Sequence, residues 1–181
     1  MPTIRPIDVA AATGQTAETL AAVKKQLGKV PNLFATLAQS PAALQTYFRI
    51  KDALALGAFS AKQQELVALA VAQVNGCGYC LSAHTAINGM MGVKPEAIEA
   101  ARRGHATDPR DDAIVSLARE VVETRGHLDS QAVAAWKAKG LSDADILETI
   151  ATVVLNIFTN YVNEIAGTEI DFPVVEVKRA A

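Results

Sequence analysis

From residue 15 to residue 166 the chain is cut into helix-length segments, most opened by a capping residue or a proline and closed by glycine. Ser40-Pro41, Ser60, Asp108-Pro109, Ser130 and Ser142 read as start signals. Gly28, Gly57, Gly89, Gly104, Gly126 and Gly140 read as stop signals. No hairpin turn sequence and no convincing strand pair interrupts this punctuation. Half the residues are hydrophobic, much of that alanine, and only 5% are aromatic. That mixture suits packed helices better than a sandwich or barrel, and an all-α fold is the expectation. Helices are expected over 15–27, 33–38, 41–56, 61–75, 77–88, 95–103, 109–125, 130–139 and 143–166. A tail over 169–181 contains Pro173, Val174, Val175 and Val177 and is expected to be extended.

Two segments carry the strongest patterns. Ser60 with Gln63 forms a capping-box sequence, and residues 66–72 behind it are apolar on every side, as in a buried helix. Ile114, Leu117, Ala118, Val121 and Val122 fall at i, i+3, i+4, i+7 and i+8, an amphipathic stripe. A weak repeat links Phe59-Ser60, Glu65 and Asn75 to Leu141-Ser142, Glu148 and Asn156, as in a duplicated helical hairpin. At about 150 residues per domain, 181 residues read as one domain over 1–181 with a core of its own. The net charge of −2 and the lack of a basic stripe argue against nucleic acid. No apolar run reaches membrane-spanning length. Residues 1–8 lack the pattern of a secretory signal, which points to the cytoplasm. In a reducing compartment the pair Cys77 and Cys80 is more often redox-active or metal-binding than structural.

Residues 65–84 read ELVALAVAQVNGCGYCLSAH. With a helix in progress by Cys80, His84 is its i+4 neighbour on one face. Cys77 falls at or before the first turn, where free N–H groups and the helix dipole stabilise a thiolate. Gly76 and Gly78 allow a tight, open turn. Glu65 sits on the preceding apolar helix, beside small residues. A carboxylate there needs a partner, and His84 is the candidate, giving a Glu–His–Cys relay. Two other readings stand beside a redox dithiol. One is a pair of small buried side chains. The other is zinc held by Cys77, Cys80, His84 and Glu65, although three of those ligands crowd one and a half helical turns.

This spacing of Glu65, Cys77, Cys80 and His84 resembles that of the alkylhydroperoxidase D-like (AhpD-like) branch of the carboxymuconolactone decarboxylase superfamily. Val30-Pro31-Asn32-Leu33-Phe34, Asn160-Tyr161-Val162-Asn163 and Asp171-Phe172-Pro173 are also similar to family segments, so the resemblance runs from about residue 28 to 173. It implies an AhpD-like helical domain, a homo-oligomer built as a trimer or hexamer, and thiol-dependent peroxide reduction without metal, haem or flavin. It implies that Cys80 is the peroxidatic thiol. Cys77 would be the resolving thiol, nearer the surface, and Glu65 with His84 the proton relay. The substrate would be a hydroperoxide. The reductant would be a dithiol: a lipoylated protein, a thioredoxin-like protein or a small thiol. Tyr79 stands where some members carry a second histidine, and tyrosine is a poor base at its usual pKa. It is a candidate pocket-lining residue. A general disulfide oxidoreductase and a non-enzymatic redox-sensing oligomer are the alternatives.

Four further readings concern single side chains. Asn156, Asn160 and Asn163 share one helix face and suit inter-helix hydrogen bonding or a subunit contact, with lining of the pocket in the second half-repeat as the alternative. His105 and His127 sit at helix ends. Trp136 suits the core. Met90-Met91 suits a packing gap or an apolar substrate entrance.

Overall fold

The computed structural model describes residues 1–177, and among these nine α-helices follow one another. They are α1 (Gly14–Leu27), α2 (Asn32–Leu37), α3 (Pro41–Leu54), α4 (Ala61–Asn75), α5 (Gly78–Met90), α6 (Pro95–Arg102), α7 (Pro109–Thr124), α8 (Ser130–Ala138) and α9 (Asp143–Ala166). There is no strand among these residues, so the all-α expectation holds for them. A 3-10 turn at Val9–Ala11, which the sequence did not signal, is capped by Asp8.

Helix α4 organises the rest. Residues 66–72 are each at most 2% exposed. A helix apolar on all sides must be covered on all sides, and α5, α6, α7 and α9 pack around it. It feeds two apolar clusters. Leu66, Leu69, Ala70 and Ala72 join Leu20, Phe34, Leu81 and Val115. Val67 and Val71 join Ile114, Leu117, Trp136 and Val153. Each fully buried leucine contributes about 2 kcal/mol, so the position of α4 is strongly specified.

The helix ends follow the sequence signals closely, with instructive departures. The Ser60–Gln63 capping box forms as expected, with Gln63 N donating to Ser60 Oγ at 3.2 Å and Ser60 N to Gln63 Oε1 at 2.9 Å. Helix α5 does not stop at Gly89 but runs to Met90, and Gly92 (φ 76°) makes the turn. The cap of α8 is Asp129 rather than Ser130, since its carboxylate accepts from Ala132 N at 2.8 Å. Met90 and Met91 are 75% and 43% exposed, so they fill no packing gap. Trp136 is buried and donates from Nε1 to Glu120 Oε2. The suspected repeat extends to the caps: α9 also opens with a serine capping box. Thereafter α4 stops at Asn75, whereas α9 runs past Asn156 to Ala166 as one helix.

Beyond α9, residues 167–177 form no strand. This tail lies on the first cluster through Ile170, Phe172, Val175 and Val177. Val175 N donates to Ser82 Oγ at 2.9 Å, and buried Arg102 donates to the Glu176 carbonyl at 2.9 Å. The end of the expected extended segment, residues 178–181, lies outside the described residues. Among the described residues no helix is long and apolar enough to cross a membrane.

Candidate active site

One residue closes α4 and opens α5. Gly76 takes the left-handed conformation (φ 72°, ψ 20°) that glycine adopts without steric cost. Cys77 N then donates to Ala72 O at 3.0 Å and Gly76 N to Gln73 O at 3.3 Å, the paired bonds of a Schellman ending. Cys77 is also the N-cap of α5, its Sγ accepting from Cys80 N at 3.2 Å. The turn therefore delivers Cys77 to the place where α5 presents its unpaired N–H groups and positive dipole end.

Cys77 and Cys80 are joined by a disulfide, with Cα atoms 5.3 Å apart. Both are buried, at 0% and 2% exposure. The expectation that Cys77 lies nearer the surface is therefore corrected. Cys77 lies in the first apolar cluster, against which Ile170 and Val177 of the tail also pack.

His84 stands one turn beyond Cys80 on α5. Its Nδ1 is 2.7 Å from Glu65 Oε2 on α4, and the two side chains keep 19% and 15% exposure. The partner expected for Glu65 is the one it has. Burial alone would push the Glu65 carboxyl up. The charge and hydrogen bond of His84, with Lys51 behind them, outweigh burial and hold it below the usual glutamate value. Glu65 is thus an ionised carboxylate that fixes the imidazole through Nδ1.

Tyr79 is buried and serves as an anchor. Its hydroxyl accepts from Leu33 N at 3.2 Å and donates to Asp171 Oδ1 at 2.8 Å. Burial, and then the neighbouring Asp171 carboxylate, push its pKa further up despite the Leu33 amide. It is no proton acceptor at neutral pH. Its ring meets Phe172 edge to face at 5.8 Å, and Lys29 pairs with Asp171 at 2.9 Å.

The asparagines of α9 divide. Asn156 bonds within its own helix, to Thr152 O at 2.8 Å. Asn160 accepts from Asn75 Nδ2 at 2.8 Å, the expected inter-helix bond. Asn163 donates from Nδ2 to Cys80 Sγ at 3.3 Å. Helical spacing put these residues on one face, but the sequence held no sign that Asn163 meets a sulfur 83 positions away. Asp171 was likewise visible only as part of a family-like segment. His105 lies 3.5 Å from Asp112 at the surface. Among the described residues no group of three or more His, Cys, Asp or Glu could hold a metal ion.

Among the described residues the protein is helical, with a buried Cys-x-x-Cys disulfide at a helix start beside a Glu–His pair. Residues 41–124 match the sequence model of the carboxymuconolactone decarboxylase family. The chain is similar to an alkylhydroperoxidase AhpD core, a peroxidase-related protein from Ralstonia eutropha JMP134, at 24% identity, 94% and 92% coverage of the two chains and a TM-score of 0.83. A peroxidase-related protein from Silicibacter sp. TM1040 follows at 21% identity, 92% coverage of each chain and a TM-score of 0.78. A debrominase in complex with 2,3,4-tribromopyrrole shares the fold at 18% identity, 93% and 91% coverage and a TM-score of 0.78. No curated protein matches the chain. The chain thus has the AhpD-like helical fold, and its residues 41–124 carry the sequence pattern of the carboxymuconolactone decarboxylase family.

Proposed function

We propose that the protein is a thiol-dependent peroxidase that reduces hydroperoxides through a Cys77–Cys80 dithiol–disulfide cycle. The observation that carries this reading is the Glu65–His84 pair one turn beyond Cys80. In the reduced protein, Cys80 thiolate attacks the terminal oxygen of the hydroperoxide. The S–O bond forms, the O–O bond breaks, and the leaving alkoxide takes a proton from His84, giving an alcohol and a sulfenic acid. Cys77 then attacks the sulfenic sulfur, forming the disulfide and releasing water. A dithiol reductant restores both thiols by exchange and is itself oxidised to a disulfide.

A second reading, disulfide exchange without peroxide chemistry, is favoured by Cys77 itself. Its sulfur accepts a backbone N–H at a helix start, the setting that activates the first cysteine of a redox pair. On either reading a homo-oligomer is expected. Leu147, Ile150, Val154, Tyr161 and Ile165, exposed along one side of α9, are apolar surface available to it.

The test is stopped-flow reaction of the fully reduced protein with an alkyl hydroperoxide and with hydrogen peroxide, thiols being counted before and after. Loss of both thiols far faster than for free cysteine, reversed by a dithiol, supports the peroxidase. Intact thiols overturn it, and ready exchange with a small disulfide then favours the second reading.

A further inference from the structure

Asn163 makes an energetically odd contact for a residue with a purely structural role. It is 4% exposed and reaches Cys80 from a different helix. Its donor end is spent on a disulfide sulfur, a weak acceptor. Its acceptor end, Oδ1, is buried with no hydrogen-bond partner. An unmade buried bond is costly, and an apolar side chain of the same shape would avoid that cost. The arrangement becomes favourable only when the sulfur carries charge, because a thiolate is a strong acceptor and a charge-assisted bond is about twice as strong as a neutral one.

We propose that Asn163 is the residue that holds negative charge on Cys80 when the disulfide is open. This deepens the proposed dithiol chemistry and rests on it. Each sulfur has one N–H donor: the Cys80 amide serves Cys77, and the Asn163 carboxamide serves Cys80. When a reductant thiolate attacks Cys77, the Cys77–Cys80 bond breaks and its electron pair stays on Cys80, under Asn163. The second thiol of the reductant then attacks the mixed disulfide and frees Cys77. The same bond readies Cys80 thiolate for the next oxidant. The titratable groups of the surrounding elements are already engaged with one another: Glu65 of α4 with His84 of α5, Tyr79 of α5 with Asp171 of the tail, and Arg102 of α6 with Glu99. The bond from Asn163 comes from α9 and involves none of them.

The experiment uses full-length reduced protein in a Cys77→Ser background, where Cys80 is the one thiol left to titrate. Thiolate ultraviolet absorbance against pH gives its midpoint, with Asn163 intact and as Asn163→Leu. The midpoint should rise by about one to two units in Asn163→Leu, and alkylation at neutral pH should slow by about tenfold or more. Asn163→Asp keeps the shape and replaces the donor with a carboxylate. It should raise the midpoint further by like charge, and Asn163→Ala, which removes the donor without adding charge, decides the matter if Asn163→Leu does not fold. Asn160→Leu, one turn earlier on the same face, should leave the midpoint in place. An unmoved midpoint in the Asn163 variants overturns the inference, as does an equal shift in Asn160→Leu. No peroxide or reductant enters the reading. A failure of peroxide turnover with the midpoint shift intact therefore counts against the proposed function and for the role of Asn163.

Discussion

His84 Nδ1 lies 2.7 Å from Glu65 Oε2, across the hairpin that Gly76 makes between α4 and α5. The folded protein holds the Glu65 carboxyl below its ordinary value. A carboxyl lowered on folding contributes stability above its unfolded value, about 4.3, and that contribution is lost as pH falls through the folded value. Urea midpoints measured from neutral pH down to about pH 3 should therefore fall more steeply for the wild type than for Glu65→Gln. Parallel curves would show that the pair contributes nothing to acid stability.

The same pair should act as one unit in chemistry. A positioned acid–base group contributes about 10²–10⁴-fold. Glu65→Gln and His84→Asn should each slow oxidation of the reduced protein by about 10²-fold or more, and the double variant should be little worse than the weaker single. Additive losses in single-turnover peroxide kinetics would mean that the two residues act separately.

The two cysteines should divide their labour. Cys80→Ser should abolish peroxide consumption. Cys77→Ser should permit one turnover and leave a sulfenic acid that a dimedone-type reagent traps, read by mass spectrometry. Adduct at Cys77 in the Cys80→Ser protein would reverse the assignment.

Local signals and tertiary partners were legible to different degrees. Capping at Ser60 and Ser142 and termination at Gly76 are decided within a few residues, so the helices and the position of Cys77 could be read from the chain. Glu65 and His84 could be paired because a buried carboxylate demands a partner and α4 and α5 are joined by one tight turn. The burial of Cys77 could not be read, because it depends on how residues 169–177 lie across α5. The Asn163–Cys80 bond and the Tyr79–Asp171 bond join residues 83 and 92 positions apart. Helical periodicity says which face such residues occupy, and not what stands opposite. Ser130 misled because Asp129 beside it is an equally good cap.

Tyr79 ties the tail to the site. Tyr79→Phe removes the hydroxyl and leaves the Leu33 amide and one Asp171 oxygen without that partner, at a cost of about 1–3 kcal/mol. Thermal unfolding should report the loss. Because the tail lies over the first turn of α5, the variant should also be reduced faster by dithiothreitol than the wild type. Equal reduction rates would show that the tail does not limit access to the disulfide.

The start of α4 depends on a residue far along the chain. Both oxygens of Glu148 on α9 accept backbone N–H groups just before the Ser60 cap, Oε2 from Ala58 and Oε1 from Phe59, each at 2.9 Å. Gly57 leaves the space that carboxylate occupies, and a Cβ there would fall on it. The carboxylate would have to withdraw and surrender both bonds. Gly57→Ala should therefore cost about 1–3 kcal/mol, close to the cost of Glu148→Ala. Both changes break the same bonds, so the double variant should lose much less than the sum, which a double-mutant cycle by urea denaturation would read. Full additivity would instead mean that the Gly57 effect comes from its own backbone, and that α4 is placed by its apolar faces without help from Glu148.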